Sequence, residues 1–178
     1  ETLEIFVPLA SRIGAYRIKT ELEDLSFSYI NPDMYKNIEE ELEKVKKDSA
    51  GCIKEILKDI NGLLSAENIP HEIKTRTKNI YGIYKDIIEK KEMAEIHDLL
   101  ALKVMVKEVK DCYLTLMLIH SIYNPMNSEL KDYICNHKSN MYRSLHTTIF
   151  GPENRLVQTQ IRTFEMDKVA SFGLTAYW

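Results

Sequence analysis

Residues 99–109, LLALKVMVKEV, constrain the fold most, because a run this rich in branched apolar residues reads as a core strand. Such a strand has to be covered, so the rest of the chain must supply a sheet and helices to pack on it. Residues 71–75 read as a short strand and 79–91 as a helix with Ile80, Ile83, Tyr84, Ile87 and Ile88 on one side. An apolar helix is expected over 112–122. Two strands, 144–150 and 156–163, flank Gly151-Pro152-Glu153-Asn154 and predict a hairpin. Residues 164–178 close as a helix. The order βαβαββα predicts an α+β domain with α/β character.

Ahead of residue 70 the texture is helical. Residues 1–16 and 18–29 carry apolar side chains near helical spacing, and Asn31-Pro32-Asp33 breaks the pattern and can start another helix. Residues 34–64, charged but apolar at Ile38, Leu42, Val45, Ile53, Ile56, Leu57 and Ile60, read as a packed helical hairpin or small bundle with no chemistry of its own.

A length of 178 residues suits one core and one principal site. The net charge of −3, from 24 basic and 27 acidic residues, argues against a protein that coats polyanions by bulk charge. The distribution is uneven: residues 1–70 carry 14 acidic and 9 basic side chains, residues 71–178 carry 13 and 15. Phosphates are therefore expected in the second part. Cys52, Cys112 and Cys135 form no close pair and read as reduced structural thiols. No apolar run approaches the roughly 18 residues of a membrane span, and no signal-type segment opens the sequence, so a cytoplasmic protein with no membrane partner is expected.

Three places have polar residues that packing alone does not require. In Lys74-Thr75-Arg76-Thr77-Lys78, alternation puts three cations on one face before a helix. That suits polyphosphate, since guanidinium forks two oxygens and ammonium adds a mobile point charge; a charged edge strand would read the same. His97-Asp98 stands ahead of the core strand. Its carboxylate suits a divalent ion such as Mg²⁺ bridging phosphates, although a capping residue would look identical. The His-Asp dipeptide of metal phosphohydrolases is a rival reading without a supporting histidine pattern. The third place pairs residues 138–146, KSNMYRSLH, with 156–163, LVQTQIRT. There Val157, Thr159 and Ile161 share one face while Gln158, Gln160 and Arg162 share the other. A polar row can simply face water. Beside a loop with a lysine, an amide and an aromatic ring it can also floor a nucleotide site, with the ring on the base and the cation on phosphate.

Residues 4–14 (EIFVPLASRIG), 19–24 (KTELED), Arg76-Thr77-Lys78, Asp98-Leu99, Lys131-Asp132-Tyr133, 140–146 (NMYRSLH) and 160–163 (QIRT) together resemble the RelA/SpoT homologue family. The resemblance runs in order over nearly the whole chain. It implies a (p)ppGpp synthetase domain over residues 70–178, with a nucleotidyltransferase-like mixed sheet flanked by helices. Residues 1–69 would be a helical connector from the end of a hydrolase region. The family reaction transfers pyrophosphate from ATP to the 3′-hydroxyl of GDP or GTP and releases AMP. Carried over by position, Arg76, Lys78 and Lys85 would contact ATP and its phosphates, and Asp98 would be catalytic and hold Mg²⁺. Tyr142 would stack on guanine and Asn140 would orient the acceptor nucleotide. Lys138 and His146 would line its phosphate or ribose side, Lys131 would also bind the guanine nucleotide, and Arg162, in the same set, would steady the polar strand face. The implied partners are ATP and GDP or GTP. Hydrolase and regulatory domains would lie elsewhere in a longer parent, and any ribosome contact would run through those regions.

The departures bear on activity. Gln158 stands where the family's strand has a catalytic glutamate, and a neutral amide is neither a base at pH 7 nor a good Mg²⁺ ligand. Lys85-Asp86 replaces a usual basic pair, His97 a common aromatic, Lys103 an arginine, Arg143 a glutamine and Tyr177 a histidine. Glu129-Leu130-Lys131-Asp132 mixes the family's basic and acidic acceptor-side versions. Two readings follow: a synthetase weakened at Gln158, or a nucleotide-binding regulatory module that has lost catalysis.

Overall fold

Alternation along each strand decides how the sheet is used. In the computed structural model, which describes residues 1–89, 99–136, 138–173 and 176, five strands form one mixed sheet. They are β1 (His71–Thr77), β2 (Leu100–Val106), β3 (Lys131–Asp132), β4 (Leu145–Phe150) and β5 (Leu156–Thr163), in the order β1-β2-β5-β4-β3. β2 and β5 run parallel; the other neighbours are antiparallel. Register sets Lys74, Lys103, Gln160, His146 and Lys131 side by side across all five strands. Paired residues point to the same face, so this row makes one face polar. The next row, Ile73, Val104, Ile161 and Leu145, points the other way.

Helices α3 (Pro32–Ala66) and α5 (Val109–Ile122) cover the apolar face. Ile56, Ile60 and Leu64 of α3 and Cys112 and Ile119 of α5 share one core with Leu102, Val104, Val106, Val157 and Ile161. The expected hairpin or bundle over 34–64 is instead part of a single helix of 35 residues. Asn31 caps it by accepting from the Met34 N–H at 3.2 Å, and Pro32 sits in its first turn. Gly51 and Gly62 cost about 1 kcal/mol each against alanine but do not break it. Its apolar stripe is held along its length, because Ile38 and Leu42 pack in a second cluster with Phe27, Ile80, Ile83 and Leu99.

Residues 1–16 are not one helix: a π turn (Thr2–Phe6) leads into α1 (Val7–Arg12), and Gly14 takes the left-handed conformation at φ 76°. α2 (Tyr16–Ile30) then doubles back. α4 (Ile80–Ile88) begins as expected. Its N-terminus is capped from α2, where Asp24 accepts from the backbone N–H groups of Ile80 at 3.3 Å and Tyr81 at 2.9 Å. α6 (Phe164–Phe172) is shorter than the expected closing helix and stops at Gly173, φ 62°. A Cβ at Gly173 would lie 2.1 Å from the Ile13 carbonyl oxygen, so only glycine lets α6 meet the α1–α2 elbow. The three cysteines are free; Cys52 and Cys112 are buried as structural thiols, whereas Cys135 is exposed. Among the described residues no helix is long and apolar enough to cross a membrane.

Candidate nucleotide site

The polar face of the sheet floors a cavity of about 510 Å³. β1 contributes Arg76, β2 Lys103, β5 Gln158, Gln160 and Arg162, β4 His146 and β3 Lys131. The loop between β3 and β4 adds Tyr133, Lys138, Asn140 and Tyr142, and the α1–α2 elbow adds Ser11, Tyr16 and Lys19 as a wall. No carboxylate lines this cavity among the described residues.

Its groups hold one another in a definite order. Arg162 donates to Gln160 Oε1 at 3.3 Å, and Gln160 Nε2 donates to Gln158 Oε1 at 3.0 Å, so the whole polar edge of β5 is linked. Behind it Asp167, in the first turn of α6, pairs with Lys103 at 2.8 Å and with Arg162 Nε at 3.2 Å. Both contacts go to Asp167 Oδ1 and are ion pairs without hydrogen-bond geometry. Arg162 is only 5% exposed, and a buried guanidinium needs such a counter-ion.

At the opposite side, Tyr133, Tyr142 and His146 meet edge to face with ring centroids 5.2 to 6.1 Å apart. Lys138 Nζ lies 4.5 Å from the Tyr133 ring centre and 5.6 Å from that of Tyr142. The Arg162 guanidinium lies 5.7 Å from the Tyr142 ring centre. Tyr142 Oη and His146 Nε2 are hydrogen-bonded at 2.7 Å. Burial, and then the charges of Arg162, Lys138, Arg76 and Lys131, hold the imidazole neutral with a pKa of about 3. Asn140 Oδ1 accepts from the Tyr142 N–H at 3.2 Å, and Met141 between them is left-handed at φ 63°, which fixes the turn that presents the ring.

A divalent metal needs several oxygen, nitrogen or sulfur ligands gathered in one place. Among the described residues no group of three His, Cys, Asp or Glu side chains could hold one. The amide oxygens of the floor, Gln158 Oε1 and Gln160 Oε1, are already engaged by Gln160 and Arg162. This floor does not fit Mg²⁺ by itself. His97 and Asp98, on which the metal expectation rests, lie outside the described residues, as does Tyr177.

Residues 75–178 match the family described as "Region found in RelA / SpoT proteins". The chain belongs to the RelA/SpoT family. Over 179 residues it is 41% identical to a GTP pyrophosphokinase of Myxococcus xanthus, covering all of this chain and 24% of that protein. It is 40% identical over 179 residues to the bifunctional (p)ppGpp synthase/hydrolase SpoT of Escherichia coli K12, covering all of this chain and 26% of that protein. The chain thus spans about a quarter of the length of these curated relatives. The fold is that of the small alarmone synthetase 1 of Bacillus subtilis, solved bound to its product pppGpp. The TM-score is 0.61 at 23% identity, covering 74% of this chain and 78% of that one.

Of the site residues expected in this RelA/SpoT chain, the fold brings together Arg76, Lys131, Lys138, Asn140, Tyr142, His146, Gln158 and Arg162. Lys78 and Lys85 do not line the cavity. Lys78 Nζ is 2.6 Å from Asp86, and Lys85 Nζ is 3.1 Å from Glu23 and 4.9 Å from the Tyr81 ring centre. Lys74 pairs with Glu72 at 2.8 Å on the edge strand. The sequence motifs assign no role to Tyr16, Lys19, Tyr133 or Asp167, and two of these four come from α2. Only the motif over residues 19–24 pointed there.

Proposed function

We propose that this chain is a (p)ppGpp synthetase domain that transfers pyrophosphate from ATP to the 3′-hydroxyl of GDP or GTP. One observation carries the reading: a single cavity combines a phosphate-type cation, Arg76, with an aromatic ring and an amide, Tyr142 and Asn140, over a floor of further cations. The relatives named for this activity are similar over the full chain. Residues 1–69 would connect to a hydrolase region in a longer parent. The setting would be the cytoplasm during the stringent response, with any ribosome contact made through regions outside these residues. Magnesium, held by Asp98 or brought on the phosphates of ATP, would neutralise their charge.

In this reaction the 3′-oxygen attacks the β-phosphorus of ATP, the bridging bond to the α-phosphate breaks, AMP leaves, and the hydroxyl proton must be accepted. Residues of this chain position and neutralise: Arg76 on the ATP phosphates, Lys131 and Lys138 on the acceptor's phosphate or ribose side, Tyr142 on its base. Proton acceptance is the weak point. Gln158 is a neutral amide whose oxygen already receives the Gln160 N–H, and His146, with a pKa near 3, is too weak a base at neutral pH. The described floor therefore holds the reactants better than it activates the hydroxyl. That favours slow turnover, and it is the specific support for the second reading, a nucleotide-binding module without catalysis.

The test is to incubate the chain with ATP, Mg²⁺ and GDP or GTP and to follow AMP and the 3′-pyrophosphorylated product. Gln158→Glu is expected to raise the rate by about 10²- to 10⁴-fold, the usual worth of a general base. Full-speed turnover by the unmodified chain would remove the role given to Gln158. Binding of both nucleotides without turnover in Gln158→Glu would establish the module instead.

A further inference from the structure

Arg76 differs from Lys103 and Arg162, the cations beside it on the cavity floor, in what holds it. Lys103 and Arg162 are tied to the carboxylate of Asp167, but among the described residues no carboxylate pairs with Arg76. Its partner is a phenol: Arg76 Nη2 donates to Tyr16 Oη at 2.5 Å, and its guanidinium carbon lies 5.1 Å from the centre of the same ring. Lys19, one turn further along α2, is 5.5 Å from that ring and is anchored to the buried Glu23 at 3.0 Å. The Tyr16 ring thus lies within 5.5 Å of two cations at the cavity wall.

A phenol and a carboxylate do different things to a guanidinium. A carboxylate orients it and cancels its charge, whereas a neutral hydroxyl orients it and leaves the charge to meet a phosphate. Free, the arginine side chain samples many rotamers, and binding must then order it; holding it beforehand lowers that cost. Tyr16, itself 40% exposed, starts from a closely packed stretch of backbone. It opens α2 directly after the elbow, where a Cβ on Gly14 would lie 3.2 Å from the Asn140 carbonyl oxygen and 3.3 Å from the Gly173 Cα. The elbow is therefore seated against both the acceptor-side loop and the end of α6.

From this geometry we infer that Tyr16, on the helical connector, is a positioning residue for the ATP side of the site: its hydroxyl holds the Arg76 guanidinium ready for phosphate without neutralising it. The inference rests on the ATP-side role proposed for Arg76. Because binding alone reads it, slow turnover at Gln158 does not interfere.

The experiment is calorimetric titration of the full chain with a non-hydrolysable ATP analogue and, separately, with GDP. It compares the unmodified chain, Tyr16→Phe, Arg76→Lys and the double variant. Tyr16→Phe keeps the ring and removes only the hydroxyl; it is expected to weaken the ATP analogue about five- to tenfold, the range for one hydrogen bond to a charged group, and to leave GDP within about twofold. In the Arg76→Lys background the same change is expected to have little further effect, which a general loosening of the elbow would not produce. Unchanged ATP-analogue affinity in Tyr16→Phe overturns the inference, as does an equal loss for GDP or full additivity with Arg76→Lys. If Arg76→Lys itself leaves the ATP analogue unaffected, the ATP-side role of Arg76 fails and the inference falls with it. That result is distinct from a null result confined to Tyr16.

Discussion

At the residue scale, His146 shows how the site sets its own chemistry. A histidine in an unfolded chain titrates near 6.5, while burial and four nearby cations bring this one down to about 3 in the folded protein. Between those values the unfolded chain holds the extra proton, so stability rises with pH across the window. The contribution of the neutral imidazole is complete above about pH 6.5 and is lost progressively as pH falls toward 3. Thermal unfolding followed from pH 7 to pH 4.5 should therefore show a falling midpoint that becomes measurably flatter in His146→Gln. Identical slopes would mean that other groups dominate acid sensitivity. Gln158 makes the complementary point: one amide for one carboxylate leaves the hydrogen-bonded edge of β5 intact and alters only what the edge can do with a proton.

At the scale of elements, α2 and α4 are joined by polar groups that are satisfied together. Glu23 is 1% exposed; burial alone would raise its pKa, but Lys19 and Lys85 outweigh it and hold the carboxyl below its ordinary value. Asn79 donates to Glu23 and to Asp24 at 3.1 Å each and gives α4 no side-chain cap of its own, which leaves the capping to Asp24. Replacing a capping carboxylate by alanine costs about 0.5 to 2 kcal/mol, so Asp24→Ala should lower denaturant stability by that amount while Asp24→Asn loses less. Equal losses in the two variants would show that the charge matters rather than the oxygen. Helix starts such as Asn31-Pro32 and the strands over 100–106, 145–150 and 156–163 were legible because period and local turn chemistry carry them. The cap on α4 was not, because its acceptor lies 56 and 57 residues away from its donors. Strand β3 was missed because two residues are too few to show any period.

At the scale of the whole molecule, α3 joins both cores, and the change of texture near residue 69 is not a boundary in the packing. Ile56, Ile60 and Leu64 have no exposed surface, and they pack against the apolar face of the sheet. Burying each is worth about 1.5 to 3 kcal/mol, and the three together rival the roughly 5 to 15 kcal/mol that stabilises an ordinary domain. Residues 70–178 expressed alone should therefore lack a cooperative thermal transition and bind an apolar dye, whereas the full chain should unfold sharply and bind none. A sharp transition in the shorter chain would show that the sheet is covered without α3.

The sequence by itself determined the strand faces, the helix starts and most of the residues on the cavity floor, because these depend on alternation and short motifs within one segment. Only the tertiary structure decided which cations share the cavity. It drew Lys78 and Lys85 into pairs with Asp86 and Glu23 and placed Tyr16 against Arg76 across 60 positions of sequence. Charge type is written in the chain, but whether a charge meets a ligand or a neighbour depends on packing between distant elements, which no local period records.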